Sequence, residues 1–365
     1  MNKVIKVLHT EWSDGWGGQE IRIINEMIAV RERGVEVFLA CRDHAIIKQK
    51  ALENNIKVFV LPFRGNADFK TLFSLRKIIK KYSIDIVNTH SGKDTWVGGL
   101  AAKLAGAKFI RTRHLSHRIR STRANFINEL ADYIFTTGES VRAGMIKYNR
   151  INPEKIQSIP TGIDSDLFDP KKYNKAQCRK QFGLQDNEIG IGIVAVLRDS
   201  KRHDNFLKIA SNLKNDFTKD RFKFFIAGEG PFRRVVEDMV DNLSLNKDVT
   251  LLGHIENVPD LLSALDVFVF TADRREGVPQ SVMQALMMDV NTVSTNDGST
   301  SDLHKENNFL ISNPDFNKVY DNAKRMVKNL SNDKFLSKSR KFIVDNFSQK
   351  VATTRILNVY KALVD

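Results

Sequence analysis

The sequence contains few cysteines, no long apolar run and too few acidic residues to balance its basic ones. Its two cysteines, Cys41 and Cys178, lie far apart in a chain of 365 residues. This spacing excludes a disulfide scaffold or a cysteine-based zinc site and favours a reducing compartment. No apolar stretch approaches the ~20 residues that span a bilayer. Because Lys3 and Lys6 also interrupt the apolar N-terminal residues, we expect no signal peptide and a cytoplasmic protein.

The positive charge is concentrated in the first half of the chain. The net charge is +14, of which residues 1–167 carry +10 and the remaining residues +4. Two basic clusters contribute most to this excess: Lys77, Lys80 and Lys81, on a segment with helical apolar spacing, and Arg111, Arg113, Arg118, Arg120 and Arg123. Each cluster is either a solvated face or a surface for a polyanion, with an anionic membrane and nucleic acid as the two candidates.

Short β-branched runs alternate with helix-length segments along almost the whole sequence. The expected strands are residues 4–10, 35–40, 58–61, 86–89, 108–113, 133–137, 155–159, 190–196, 222–227, 248–252, 267–271 and 291–294. This alternation is typical of parallel, doubly wound α/β sheets, which bind ligands beyond the carboxyl ends of their strands. A polar, non-periodic stretch divides the pattern. We therefore predict two Rossmann-like domains facing across a cleft, at 1–167 and 186–345, a linker at 168–185 and a C-terminal helix at 346–365 that packs back on the first domain.

Two loops that follow expected strands have residues suited to phosphate. Gly17 and Gly18 precede a helix, so the backbone there can approach an anion, although a simple tight turn explains the glycines equally well. The spacing matches neither the dinucleotide nor the P-loop motif. After the first strand of the second domain come Arg198, Lys201 and Arg202. These cations can neutralise a diphosphate without a metal, or they belong to a solvated loop.

The block at residues 275–286 is the most informative motif. Pro279 is placed to be a first-turn helical residue, so the N–H groups of Gln280 and Ser281 point out of the helix start. Glu276 before the helix and Gln284 on its second turn can reach one elongated ligand. A capped core helix with no ligand is the alternative. The glycine-rich residues 228–230 and the pair His254-Ile255 are turn residues first.

Other catalytic classes have little support. Asp164 and Asp166 form a DxD pattern that can hold a divalent metal, but they begin the linker and are better explained as turn and cap residues. No Ser/His/Asp order, HExxH motif or clustered His and Cys is present, which argues against a protease or a zinc enzyme.

Taken in order, these motifs resemble the retaining glycosyltransferases of the GT-B fold, family 4, over nearly the whole chain. The matching segments are Gly17-Gly18, Arg113-His114, residues 158–164, Lys201-Arg202-His203-Asp204, residues 228–231, residues 252–254, residues 266–270, the Glu276 block and the terminal residues 347–364.

The resemblance implies a nucleotide-sugar donor, with uridine as the expected base, held mainly by the second domain, and an acceptor held mainly by the first. The implied catalytic residues are His114, lining the reacting centre, and Glu276, on the sugar hydroxyls. The implied donor-binding residues are Gly17, Gly18, Arg198, Lys201, Gly230, Ile255, Gly277, Val278, Gln280, Ser281 and Gln284. No cofactor or metal is expected, since the leaving phosphate itself takes the acceptor's proton and cations and helix dipoles offset its charge.

Three positions depart from the family pattern. Gln284 replaces a second Glu, and an amide still hydrogen-bonds ribose hydroxyls. Val196 stands where an Arg is usual, so Arg198 must take that role or the diphosphate is held less tightly. Residues 288–292 lack the customary glycine and proline.

We expect a transferase that adds one sugar to a lipid-linked, lipopolysaccharide or polysaccharide acceptor of the bacterial envelope. The basic first domain favours peripheral contact with the anionic inner face of the plasma membrane. A GT-B epimerase or phosphorylase is the enzymatic alternative, but the acid/base carboxylates of the one and the cofactor lysine of the other are not identifiable. A nucleic-acid-binding protein lacks every recognition motif, so no nucleic-acid partner is expected.

Overall fold

The computed structural model describes residues 3–114, 119, 123–273, 277–303, 309–331 and 339–365. The chain divides into two compact units. Unit 1 comprises Met1–Gly162 and Gln349–Asp365, and unit 2 comprises Ile163–Ser348. Among the described residues, no helix has the length and apolarity needed to cross a bilayer.

Unit 1 is built on a parallel sheet of seven strands in the order β3-β2-β1-β4-β5-β6-β7. The strands are β1 Lys6–Glu11, β2 Glu36–Cys41, β3 Lys57–Val60, β4 Ile86–Thr89, β5 Lys108–Arg113, β6 Tyr133–Thr136 and β7 Ile156–Ser158. Its helices are α1 Gly18–Arg31, α2 Ile46–Glu53, α3 Phe69–Tyr82, α4 Gly92–Ala105, α5 Glu139–Asn149 and the C-terminal α13 Gln349–Val364. Because the strand order reverses between β1 and β4, the switch point, where such sheets bind ligands, lies there.

Helices cover both faces of the unit 1 sheet. Val7 packs with α1, α2 and α13 on one face, while Leu8 packs with α3 and α4 on the other. The alternation of side chains along a strand therefore buries both sets. Tyr360 of α13 is fully buried and its hydroxyl donates to Glu26 of α1 at 3.3 Å. The C-terminal helix thus belongs to the core of unit 1.

Unit 2 contains a parallel sheet of six strands in the order β10-β9-β8-β11-β12-β13. The strands are β8 Glu188–Val194, β9 Arg221–Ala227, β10 Val249–Gly253, β11 Val267–Phe270, β12 Asn291–Thr295 and β13 Phe309–Ser312. Its helices are α6 Lys175–Gln181, α7 His203–Asp216, α8 Arg233–Asn242, α9 Val258–Ala264, α10 Gln280–Met287, α11 Phe316–Lys328 and α12 Ser339–Phe347. The switch point of this sheet lies between β8 and β11.

The predicted fold class, two Rossmann-like α/β domains, is confirmed, and all 12 expected strands are present. The sequence did not indicate β13. The structure also differs at the domain boundary, which falls at Gly162/Ile163. The segment 168–185, expected to be a linker, is folded into unit 2: Phe168 and Leu184 are in its core, and Arg179 donates to the carbonyls of Ala264, Gln185 and Glu188. The apolar residues within this polar stretch decide its structure.

Candidate active site

In unit 1, the loop after β1 leaves one glycine open to a ligand. Gly17 caps α1 with an extended backbone (φ −156°), a conformation that any residue adopts. A Cβ built on it meets Oε2 of Glu20 at 3.6 Å, an ordinary contact, and that same oxygen accepts the Gly17 N–H at 2.9 Å. Since no described neighbour requires glycine here, the residue is suited to close approach by a ligand.

A buried carboxyl, missed from the sequence, ends β1 beside this loop. Glu11 accepts the Ser13 N–H at 2.7 Å and the Gln19 side-chain amide at 2.5 Å. Burial raises the pKa of Glu11, and the negative charge of Asp94 raises it further. Asp94, at the start of α4, accepts from Thr10 Oγ1 at 2.7 Å and the His90 N–H at 2.9 Å. The two carboxyls therefore lie on the two sides of the unit 1 switch point, Glu11 at the end of β1 and Asp94 at the start of the helix that follows β4.

His114 lies directly after β5 and belongs to a chain of three imidazoles. Its Nε2 lies 3.0 Å from Nδ1 of His90, and Nε2 of His90 lies 2.9 Å from Nδ1 of His9. Burial lowers the pKa of His9 to about 3, and it also lowers the pKa values of His90 and His114. All three rings are therefore neutral at physiological pH. Of the three, only His114 was expected, and that expectation came from the family resemblance.

The basic clusters of unit 1 differ sharply in exposure. Arg111 and Arg113 are only 6% and 8% exposed, and Arg111 donates to Asn128. Burial lowers the pKa of each guanidinium to about 10. These two residues therefore contribute no exposed charge to the surface expected there. Of the remaining predicted residues, Arg118, Arg120 and the side chain of Arg123 lie outside the described residues, and Lys77, Lys80 and Lys81 of α3 are exposed.

In unit 2, the loop after β8 presents cations at the switch point. Arg198 is exposed, and its guanidinium makes no hydrogen bond or ion pair with the described part of the chain, although its carbonyl accepts the Lys201 N–H at 3.0 Å. The ammonium of Lys201 lies 5.2 Å from the centre of the Phe270 ring. Arg202, the third expected cation, is occupied: it pairs with Asp204 at 2.8 Å and with Asp273 at 2.5 Å, and these hydrogen bonds raise its pKa. Arg202 is therefore held by two carboxylates of its own unit.

Hydrogen bonds fix this loop to the residues that follow β11. Thr271 Oγ1 donates to the carbonyl of Lys201 at 3.0 Å, and the Asp273 N–H donates to the carbonyl of Ser200 at 3.1 Å. The Arg202–Asp273 pair adds a third connection. The cationic loop and the start of the 273–284 segment are consequently one rigid platform across the β8/β11 switch point.

Two glycines after β9 serve this platform by close packing. Gly228 has φ +143°, and a Cβ on it would lie 2.0 Å from the carbonyl oxygen of Ala195. A Cβ on Gly230 would lie 2.4 Å from the carbonyl oxygen of Leu197, which accepts the Phe232 N–H at 3.0 Å. Both positions demand glycine for contact with the loop that carries Arg198. Ile255, after β10, is half-buried against the core of unit 2.

Within the block at residues 275–286, α10 begins at Gln280, one residue later than predicted. Pro279 is the N-cap (φ −69°, ψ 122°) rather than a first-turn residue, and the Met283 N–H is the first to bond within the helix, to the Pro279 carbonyl at 3.2 Å. The preceding N–H groups therefore point out of the helix start. Gln280, Ser281 and Gln284 are half-buried on this end. Val278 is buried, and the Gly277 carbonyl accepts the Ser299 N–H at 3.2 Å. Glu276 lies outside the described residues.

The DxD pattern has a structural explanation. Oδ1 of Asp164 accepts the N–H groups of Asp166 at 2.8 Å and of Leu167 at 3.0 Å, as a turn cap does. Within the described ranges, no group of three or more His, Cys, Asp or Glu side chains is arranged to hold a metal ion.

Two family models match the chain, one in each unit. Residues 16–167 match Glycosyltransferase Family 4, and residues 174–343 match Glycosyl transferases group 1. The chain is 24% identical, over 99% of its length and 97% of the relative's, to the UDP-Gal:alpha-D-GlcNAc-diphosphoundecaprenol alpha-1,3-galactosyltransferase of Escherichia coli. It is 27% identical, over 77% of its length and 76% of the relative's, to the putative glycosyltransferase EpsF of Bacillus subtilis.

Solved structures share the fold. A glycosyltransferase from Rickettsia africae superposes with a TM-score of 0.90 at 19% identity, covering 99% of both chains. Alr3699/HepE of Anabaena, in complex with UDP, superposes with a TM-score of 0.84 at 15% identity, covering 98% of this chain and 100% of the other. Two doubly wound sheets, a cationic loop at one switch point and the two family matches agree. The chain belongs to the group 1 glycosyltransferases, family 4, of the GT-B fold.

Proposed function

We propose that this protein is a retaining, metal-independent hexosyltransferase that moves a sugar from a UDP-sugar to a lipid-linked, lipopolysaccharide or polysaccharide acceptor of the bacterial envelope. The observation that carries the proposal is the rigid platform of unit 2, where Arg198 and Lys201 lie beside the residues leading to the start of α10. The names of the relatives support the donor and the acceptor class: one is a UDP-galactose transferase to a diphosphoundecaprenol acceptor, and one structural neighbour holds UDP.

Unit 2 binds the donor in this proposal. Arg198 and Lys201 contact the diphosphate, and the outward N–H groups at Gln280 and Ser281 add the positive end of a helix dipole. Fixed cations and N–H groups can stabilise the charge that develops on the leaving phosphate without a metal. Gln284 and the backbone near Ile255 contact the nucleoside, and Glu276 holds the sugar hydroxyls.

The transfer step needs no protein nucleophile. The bond from the anomeric carbon to the diphosphate oxygen breaks, a bond from that carbon to the acceptor oxygen forms, and the acceptor's proton passes to the leaving phosphate. The product keeps the anomeric configuration of the donor. His114 contributes from unit 1 as a neutral imidazole at the reacting centre, because burial holds its pKa well below the usual value.

Unit 1 binds the acceptor and contacts an anionic membrane through α3. Phe69 and Phe73 are 67% and 53% exposed on this helix, and Lys77, Lys80 and Lys81 are exposed on the turns that follow. An apolar end followed by a basic end, with no acidic residue in the helix, is suited to a headgroup surface. A lipid-borne acceptor would then be delivered at the surface on which the enzyme lies.

Calorimetry against UDP, GDP and ADP, followed by product analysis with UDP-sugars and a lipid-diphosphate acceptor, tests the proposal. We expect UDP to bind most tightly and the product to keep the donor's anomeric configuration. Glu276→Ala should abolish transfer while leaving the fold intact, and full activity in that variant would refute the site. An epimerase would change the sugar without an acceptor, and a phosphorylase would require inorganic phosphate. Binding to anionic liposomes rather than duplex DNA is the expected result for the basic surface.

A further inference from the structure

One face of the unit 1 sheet changes from apolar to polar toward the switch point. Side chains two residues apart on a strand share a face, so β1, β4 and β5 present one common face to α1. Its apolar part, Val7, Ile86 and Ile110, lies in the core with α1 and α13. Polar side chains follow on each strand: His9 and Glu11 on β1, Asn88 and His90 at β4, and Thr112 and His114 at β5. Because β1, β4 and β5 are neighbours in the sheet, these polar side chains lie side by side.

The three imidazoles of this network form an unbranched hydrogen-bonded chain. His9 Nδ1 bonds His90 Nε2 at 2.9 Å, and His90 Nδ1 bonds His114 Nε2 at 3.0 Å. At the inner end, His9 Nε2 is buried without a hydrogen-bond partner in the described structure. At the outer end, His114 Nδ1 makes no hydrogen bond with a described residue, and His114 as a whole residue is half-buried. The chain thus runs from a buried terminus at His9 to a half-buried residue at its outer end.

A chain of neutral imidazoles can carry its protons in only two arrangements. Each neutral ring has one N–H donor and one acceptor nitrogen, so the direction of one hydrogen bond fixes the direction of the next. In the first arrangement, His9 and His90 donate through Nδ1, and His114 accepts at Nε2 and carries its proton on Nδ1. In the second, every donor is Nε2–H, and His9 Nε2–H is left in the protein interior without an acceptor. Since an orphaned buried N–H is the rarer and costlier defect, the first arrangement is favoured.

We propose that His9 and His90 are positioning residues that hold His114 in the tautomer with its proton on Nδ1. The outer nitrogen of His114 is then a hydrogen-bond donor to an oxygen of the substrate and not a base. That His114 meets a substrate rests on the proposed function, whereas its tautomer does not. Neither His9 nor His90 contacts the substrate in this proposal; they act only through the ring of His114.

The tautomer can be measured without any ligand. Long-range proton–nitrogen correlation spectra of protein labelled with ¹⁵N-histidine distinguish a protonated ring nitrogen from an unprotonated one, and His114→Gln assigns the signals of that ring. We expect wild-type His114 to show a protonated Nδ1 and an unprotonated Nε2. A protonated Nε2, or an averaged pair of signals, overturns the proposal whatever the variants do.

One variant removes the hydrogen bond that His114 receives. In His90→Phe, the packing volume is kept and the hydrogen bond to Nε2 of His114 is lost, so the Nδ1-protonated fraction of His114 should fall. Unchanged His114 signals in the folded variant overturn the proposal. Thr112→Val is the matched control: it removes a fully buried hydroxyl that donates to Asn88 at 2.9 Å on the same face of the sheet, outside the chain. It should leave the tautomer unchanged.

Kinetics separates this inference from the proposed function. Because only the competent tautomer reacts, kcat of His90→Phe should fall roughly threefold to tenfold, with KM for the donor unchanged. A merely structural role would change both constants or neither. If the tautomer behaves as expected but no UDP-sugar is turned over by the wild type, the proposed function fails and the tautomer assignment stands.

Discussion

The two units share one architecture but place opposite chemistry at their switch points. In unit 1, the residues after β4 and β5, His90 and His114, are neutral imidazoles because burial lowers their pKa values. In unit 2, the loop after β8 presents the exposed Arg198 together with Lys201. A diphosphate needs fixed positive charge, whereas an acceptor hydroxyl needs oriented neutral groups. Both sheets offer the same kind of carboxyl-terminal edge to a ligand, and a few side chains at that edge determine which chemistry can bind there.

The units also differ in why their loops contain glycine. Replacing a tightly packed glycine of unit 2 gives the largest expected effect, a loss of unfolding free energy. Gly228→Ala forces a Cβ to within 2.0 Å of the Ala195 carbonyl at a φ of +143°. We expect a loss of about 3 kcal/mol or more of unfolding free energy. All three tryptophans, Trp12, Trp16 and Trp96, lie in unit 1, so circular dichroism reports both units and tryptophan emission only unit 1. An unchanged urea midpoint by circular dichroism would refute the packing role of Gly228.

The second prediction concerns the cations. Replacing Arg198 and Lys201 together by alanine should weaken UDP binding about 100-fold, since each loses a charge-assisted phosphate contact. Lys247→Ala is the control: it removes an exposed charge before β10, at the opposite end of the strands. The UDP affinity of the double variant and of the control variant is measured by calorimetry in low salt. Equal losses of affinity would show a general charge effect and not a binding site.

Most of the fold was predictable because doubly covered sheets produce short apolar strands that alternate with helices. The sequence did not predict β13. This strand, Phe309–Ser312, is four residues long and only its first residue is fully buried, as an edge strand allows. Arg111 and Arg113 were assigned to a surface because they belong to a cluster of basic residues in the sequence. Both faces of β5 are covered, so both sets of side chains are buried.

The sequence singled out candidate site residues where glycines, cations or the 275–286 block mark loops. Gly17, Arg198 and the start of α10 were proposed in this way, and their roles stay predictions. The His9–His90–His114 chain was not, since its links join residues 81 and 24 positions apart. Only the strand order brings them together. Arg202 was one of the three cations expected to suit a diphosphate. Its ion pair with Asp273 could not be predicted either, since only the fold places Asp273 beside it.

The third prediction compares how the units respond to acid. In unit 2, burial and the charge of Lys201 lower the pKa of His203 to about 4. The unfolded chain takes up this proton near pH 6.5 and the folded one does not, so stability is complete above pH 6.5 and falls as the pH drops toward 4. We expect His203 to account for a loss of about 2 kcal/mol between pH 7 and pH 5. In His203→Leu, the circular-dichroism midpoint in urea should lose this slope.

Unit 1 should respond less, because its buried groups oppose one another. His9, His90 and His114 have pKa values lowered by burial, so they favour folding at higher pH. Glu11, Glu26 and Asp94 have pKa values raised by burial, so the folded state holds their protons and its stability falls as the pH rises. The tryptophan-detected midpoint should therefore shift less than the circular-dichroism one over the same range. A larger shift in tryptophan emission would contradict this balance.

The smallest effect on stability is expected at the counterpart glycine of unit 1. Gly17→Ala adds a Cβ at an ordinary 3.6 Å from Glu20 in a backbone that any residue adopts, so the unfolding free energy should change by less than about 1 kcal/mol. If the glycine is there to admit a phosphate, UDP-sugar affinity should still fall about fivefold by calorimetry. Unchanged affinity would assign Gly17 to the turn alone. A loss of stability like that of Gly228→Ala would mean that unit 1, too, uses its glycine for packing.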